Sequence, residues 1–156
     1  MTRFTDDPKR NAQILRAIKE KEGELVQMAE ELARSLKEIF RNEEEKPLSD
    51  KEHKERQLRN IQEVAEQSTS WAEVELFIRY QAARKEIYVA WANEALQKLQ
   101  GLRELARGIV GAAEEPTIRK VHLELIRRVL GHTVRWHVWH AKGETQLQRA
   151  KQGGAG

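Results

Sequence analysis

A chain of 156 residues with 34% charged side chains, 6% aromatics and three prolines is sized for one domain and composed for helices solvated on one face. Its lack of cysteine excludes disulfide frameworks, thiol nucleophiles and cysteine zinc sites. No apolar run approaches the ~18 residues that cross a bilayer, and MTRFTDDPKR holds no signal-type apolar segment. The expectation is a cytoplasmic, all-α protein without a membrane partner: an elongated four-helix or irregular bundle with two long helices. Residues 1–150 are expected to form a single domain and 151–156 a flexible tail.

Net charge is only +3, but residues 116–156 carry 8 Lys+Arg against 2 Asp+Glu, with four of the five histidines. Such a segment attracts polyanions with a salt-dependent affinity. The same composition also describes an ordinary solvated basic helix, and both readings stay open.

In chain order, Asp7 before Pro8 reads as an N-cap with proline at the first helical position, where its missing N–H costs nothing. From there Leu15, Glu22, Ala29 and Leu36 recur every seven residues, as do Ile18, Leu25, Leu32 and Ile39. This heptad pattern predicts one long first helix running to about Asn42. Its seam is expected to pack inside the chain on the third predicted helix, with oligomeric contact through Leu15, Ile18 and Leu25 as the alternative. Pro47 ends that helix, and the linker falls near Lys46–Asp50. Ser49 and Glu52 read as a capping box for a second, surface-lying helix whose narrow apolar set is Leu58, Ile61, Val64 and Ala65. His53 lacks companion ligands and is a poor metal candidate.

The stretch from Trp71 to Leu105 holds five of the nine aromatics and no proline. It predicts one long central helix opened by a Ser70–Glu73 capping box. Val74, Ile78, Ala82, Lys85, Val89, Ala92, Leu96 and Leu99 form its core row. A second row, Phe77, Tyr80, Arg84, Tyr88 and Trp91, sets one guanidinium among four rings. Arg84 either covers apolar surface and stacks on a ring, or helps build a platform for bases and phosphates.

Gly101, Gly108 and Gly111 loosen the end of that helix, and Pro116 opens the last one. There Ile118, Val121, Leu125 and Val129 form the inner stripe, while Arg119, Lys120, Arg127, Arg128 and Arg135 project as a basic strip. Beyond Gly131, Trp136 and Trp139 alternate with His132, His137 and His140. Trp136 and Trp139 are candidate partner contacts. Helical spacing lets the three imidazoles share a face, but structural zinc wants four closed ligands and only Glu144 is near, so a partly buried structural role is expected and no metal or other cofactor. No His-Glu-x-x-His, phosphate-cradling glycine loop or nucleophile–histidine–carboxylate set occurs, and no catalytic function is expected.

The run Phe77-Ile-Arg-Tyr-Gln-Ala-Ala-Arg84 inside a helix of a small, charge-rich, all-helical chain resembles the small subunits of type III CRISPR effector complexes. The resemblance covers about residues 71–100. It implies a noncatalytic subunit, stacked in several copies against other subunits of a ribonucleoprotein complex, with RNA-facing or neighbour-facing roles for Arg79 and Arg84. The residues alone agree in kind: a basic strip with aromatic–arginine rows suits a phosphate backbone of guide or target RNA without reading bases. The rival expectation is a coiled-coil scaffold or self-association module that carries no nucleic acid.

Overall fold

The computed structural model describes residues 3–42, 49–143, 147, 150 and 151. The expected linker, the acidic run 43–45, Glu144 and the tail beyond 151 lie outside these residues, as do the side chains of Ser49, Glu52 and His53. Among the described residues six α-helices are delimited: α1 (Pro8–Glu20), α2 (Glu22–Asn42), α3 (Ser49–Gln67), α4 (Trp71–Ala83), α5 (Val89–Val110) and α6 (Glu115–Val138). A π-helical turn, Trp139–Gly143, follows α6, and no strand occurs among the described residues. The all-α bundle is as expected, with two of the four predicted helices each divided in two.

The first division is slight. Asp7 caps α1 as the sequence implied, its carboxylate accepting from the Lys9 N–H at 3.0 Å. The side chain of Asn11 accepts from the Thr5 N–H and donates to the Thr5 carbonyl, pinning the entering segment so that Phe4 is buried. At Lys21 the backbone N–H reaches Ile18 three residues back, a tightened turn that starts α2 in nearly the same sense. Ile18, Leu25, Ala29, Leu32 and Leu36 are fully buried, with Leu15 and Ile39 packed against them. Apart from Leu15, Glu22 and Ile39, which are half-buried, both heptad seams therefore lie in this chain's own core.

The second division is a full reversal, and it corrects the single helix expected over 71–105. Helix α4 stops at Ala83 and α5 starts at Val89. The Glu86 N–H bonds the Gln81 carbonyl and the Lys85 N–H bonds that of Ala82, with Lys85 at φ 60°. This is the Schellman ending, which ordinarily takes glycine at the left-handed position. What drives it is burial of Ile87 and Tyr88 just past the turn, two residues with poor helix propensity. Ser70 does cap α4, but without a side-chain hydrogen bond to the helix; Glu73 accepts from the Thr69 hydroxyl instead.

The organising helix is α6, not the 71–105 stretch. Thirteen of its residues are buried, because its apolar positions spread over far more than one stripe and need neighbours on several sides. Helix α5 returns on it antiparallel after Gly111, whose φ of 72° closes the helix, and the Leu99 carbonyl meets His122. Helix α3 also runs antiparallel to it, Gly131 lying against Gln62. The α1–α2 rod runs parallel along it, through Arg10–Glu114, Glu22–Arg128 and the Trp136 indole N–H on the Val26 carbonyl at 3.0 Å. Among the described residues no helix is long and apolar enough to cross a membrane. Helix α3 is more engaged than its narrow stripe suggested, with Leu58, Ile61 and Ala65 fully buried.

Candidate interaction surfaces

The seven cations expected to face RNA do not form one strip. Arg127 turns back onto the end of α3, its guanidinium donating to the carbonyls of Ala65 and Ser68 at 2.8 Å each. A cation there satisfies carbonyls that the helix itself cannot. Arg128 bonds Glu124 at 2.9 Å and Glu22 at 3.0 Å. Burial pulls its pKa down, but the two carboxylates outweigh burial and hold it above the ordinary arginine value. Both side chains are only about one-fifth exposed (20% and 23%). Charge reversal at these two positions would break the fold's own bonds, so they cannot serve as a clean probe of a surface.

The others stay outside. Arg119 and Lys120 are exposed on α6; neither has a carboxylate within 4 Å among the described residues, although Glu115, held chiefly by Arg103, feels the charge of Arg119 one turn on. Arg135 is exposed and donates to His132 Nδ1 at 3.1 Å. Arg79 pairs with Glu75 at 3.0 Å on the open face of α4. Arg84 donates to the Tyr80 hydroxyl at 3.0 Å and lies 5.4 Å from that ring's centroid. Of the four rings predicted to surround it, only this one does. Trp91 is fully buried with its N–H on the Leu32 carbonyl at 2.9 Å, and Tyr88 is buried beneath the Lys54 ammonium at 4.7 Å.

Three cations of α1 were missed in the sequence reading. Lys9, Arg16 and Lys19 are exposed there, and none has a carboxylate within 4 Å among the described residues. Arg16 and Lys19 help line a surface furrow of 610 Å³, together with Ala12, Leu15, Arg3 and Asp6. The signal was present in PKRNAQILRAIKEK, but the balanced charge of residues 1–70 hid it. The Arg10–Glu114 pair at 2.8 Å sets the start of α1 beside the start of α6. Its effect on Glu114 is a carboxyl held below its usual range, chiefly by the hydrogen bond from Arg10.

The candidate partner contacts are also redistributed. Ile18 and Leu25 are in the core, Leu15 is half-buried beside the α1 furrow, and Trp136 is half-buried with its N–H satisfied. Trp139 remains 36% exposed, its ring lying on Gly143 where a β-carbon has no room. The histidines separate along α6 and the π-helical turn: His132 faces Glu22 at 3.6 Å, His140 in the turn faces Glu30 at 3.9 Å, and His137 is buried. Four-residue steps on two parallel helices thus alternate His–Glu, Trp–carbonyl and His–Glu, with Trp136 stacked on His140 at 5.9 Å. Among the described residues no three of His, Asp and Glu come close enough to hold a metal ion.

His122, the remaining histidine of α6, is buried. A carbonyl only accepts, so its contact with the Leu99 oxygen at 2.8 Å places the ring proton on Nε2. Burial pushes its pKa below the ordinary imidazole value, against the hydrogen bond to Leu99. It is a neutral core group, set 5.9 Å from the Trp71 ring. Compared with known proteins, the chain matches no family model, no curated protein and no solved structure.

Proposed function

We propose that this chain is a noncatalytic subunit of a nucleic-acid-handling assembly, of the kind that the 77–84 run resembles, and that it contacts an RNA or DNA backbone with the cations left unpaired on α1 and α6. The observation that carries this reading is the division among the cations. Arg127 and Arg128 are committed to carbonyls and carboxylates. Lys9, Arg16, Lys19, Arg119 and Lys120 face solvent, on two helices whose first turns are joined by Arg10–Glu114. Solvent-facing cations without carboxylate partners are the ones free to release counterions from a phosphate chain. Contacts of this type position a backbone and read no sequence.

The test is fluorescence anisotropy of a labelled single-stranded RNA titrated with the full chain at several salt concentrations. The expected result is binding whose logarithm falls by ~0.7 per phosphate contact for each logarithm of salt. The Arg119→Glu/Lys120→Glu variant should bind more weakly with a shallower slope, at unchanged helicity. Absence of binding at low salt, or a variant indistinguishable from the parent, would remove the reading.

A further inference from the structure

In a chain that is one-third charged, one face is nearly free of charge. Between Val89 and Gly101 every exposed residue of α5 is uncharged: Val89, Ala90, Asn93, Gln97, Gln100 and Gly101. The two charged residues of that stretch turn to α2, Glu94 accepting from Ser35 and Lys98 pairing with Glu31 at 2.7 Å. On the adjoining α4, Leu76 and Tyr80 are 68% and 50% exposed, and Val89 across the turn is 59% exposed. These are three of the five exposed large hydrophobic residues among those described. Between the helices lies a hollow of 260 Å³ lined by Ala82, Ala83, Val89 and Ala92, with Arg79 as its one charged lining residue. Depletion of charge around exposed aromatic and aliphatic side chains is the compositional mark of a protein interface.

The charges at the ends of this face indicate what covers it. Helices α4 and α5 are antiparallel, since the Trp71 indole N–H meets Gln100 at the end away from the 84–88 turn. At the turn end stand Arg84 and Lys85, both exposed, while Glu86 is drawn inward to Gln57. At the other end stands Glu73, exposed. Between them Arg79 and Glu75 neutralise each other. Rotation by half a turn about an axis through the middle of α4 therefore brings cation against anion at both ends and Leu76 against Tyr80 between them. We infer that the α4–α5 face is self-complementary and binds a second copy of this chain in a two-fold dimer. In such an interface each contact occurs twice, residue i on j and j on i. This inference rests on the uncharged face and its end charges, and it stands or falls independently of nucleic-acid binding.

Size-exclusion chromatography with light scattering on the full chain tests it, at moderate and at high salt. The expected mass is twice the 18.1 kDa of the chain. Leu76→Glu, at a site exposed in the single chain, should raise the dimer dissociation constant by about a hundredfold, because the change enters each dimer twice. Helicity and melting of the dissociated chain should match the parent's at equal dilution. Arg84→Glu should weaken the dimer, and Glu73→Lys combined with Arg84→Glu should restore it. A wild-type monomer at 100-micromolar order concentrations overturns the proposal and leaves the face to a different protein. So does a dimer indifferent to Leu76→Glu, a series of ever larger oligomers, or a double variant no better than Arg84→Glu alone.

Discussion

Arg127 on α6 and Arg84 at the end of α4 are the same residue type, and both are candidate backbone-contacting cations in the sequence, yet they sit in opposite surroundings. Around Arg127 are the last carbonyls of α3 and the carboxylate of Glu124 at 3.8 Å. Around Arg84 are solvent and one tyrosine ring. The contrast extends to the elements that bear them. Helix α6 holds arginines and histidines inward against its three neighbours, whereas the α4–α5 hairpin holds leucine, tyrosine and valine outward. Charge is thus part of the interior adhesive in one region, and apolar surface is left uncovered in the other. A residue's class gives its chemistry, but the neighbouring backbone decides whether that chemistry is spent within the chain.

The largest expected effect breaks the first half of this contrast. Arg127→Ala removes two charge-assisted hydrogen bonds and leaves the Ala65 and Ser68 carbonyls poorly satisfied. Bonds to charged groups contribute about 1.5–3 kcal/mol, and the guanidinium's partial exposure places the loss near the lower end, about 2 kcal/mol. Urea denaturation should show that loss as a lower midpoint with an unchanged slope. Arg84→Ala, read the same way, should stay within about 0.5 kcal/mol of the parent chain. Equal effects at the two sites would mean that Arg127 is no more committed than Arg84.

His122 sharpens the same contrast through pH. The folded chain holds it neutral in the core, with its pKa lowered chiefly by burial, while the unfolded chain protonates it near 6.5. Its contribution is therefore fully present above about pH 6.5 and is lost as pH falls toward and through the lower folded value. His122→Gln keeps an N–H for the Leu99 carbonyl and removes the titration. Relative to that variant the parent should lose stability below pH 6.5, with a slope of at most about 1.4 kcal/mol per pH unit. Urea midpoints at pH 7.5 and 5.5 for both chains supply the measurement.

Much of the fold was legible because the governing signals are local. Asp7–Pro8 and Gly111 with Pro116 found their expected place, and the heptad positions from Ile18 to Leu36 are buried within the chain as expected, though α2 packs mainly on α6 rather than on the third predicted helix. Less of the site was legible, since commitment depends on contacts far along the chain. Nothing near Arg127 in sequence announces the α3 carbonyls some sixty residues earlier, and nothing near Trp136 announces Val26. The reversal at 84–88 was hidden for a different reason. The chain places lysine where glycine would have marked the turn, and the three-and-four spacing carries on through it, with Lys85 as the one charged member of an otherwise apolar row.

That lysine offers the smallest and most local test. Lys85 is exposed with φ 60°, and its N–H bonds the Ala82 carbonyl in the Schellman turn. A left-handed residue with a β-carbon carries a steric cost of about 1–2 kcal/mol. Glycine escapes it but gives up about 0.5–1 kcal/mol through the freedom of the unfolded chain. Lys85→Gly should therefore stabilise the protein by about 0.5–1 kcal/mol, raising the urea midpoint, whereas Lys85→Val should lower it because a β-branched side chain fits that backbone worst. The same substitution removes one of the two cations at the turn end of the α4–α5 face. Stability and self-association should then move in opposite directions, Lys85→Gly folding more tightly while pairing more weakly. A single variant that gains both would place the turn outside the contact between copies, and one that loses both would mean that the lysine side chain is holding the turn through its packing.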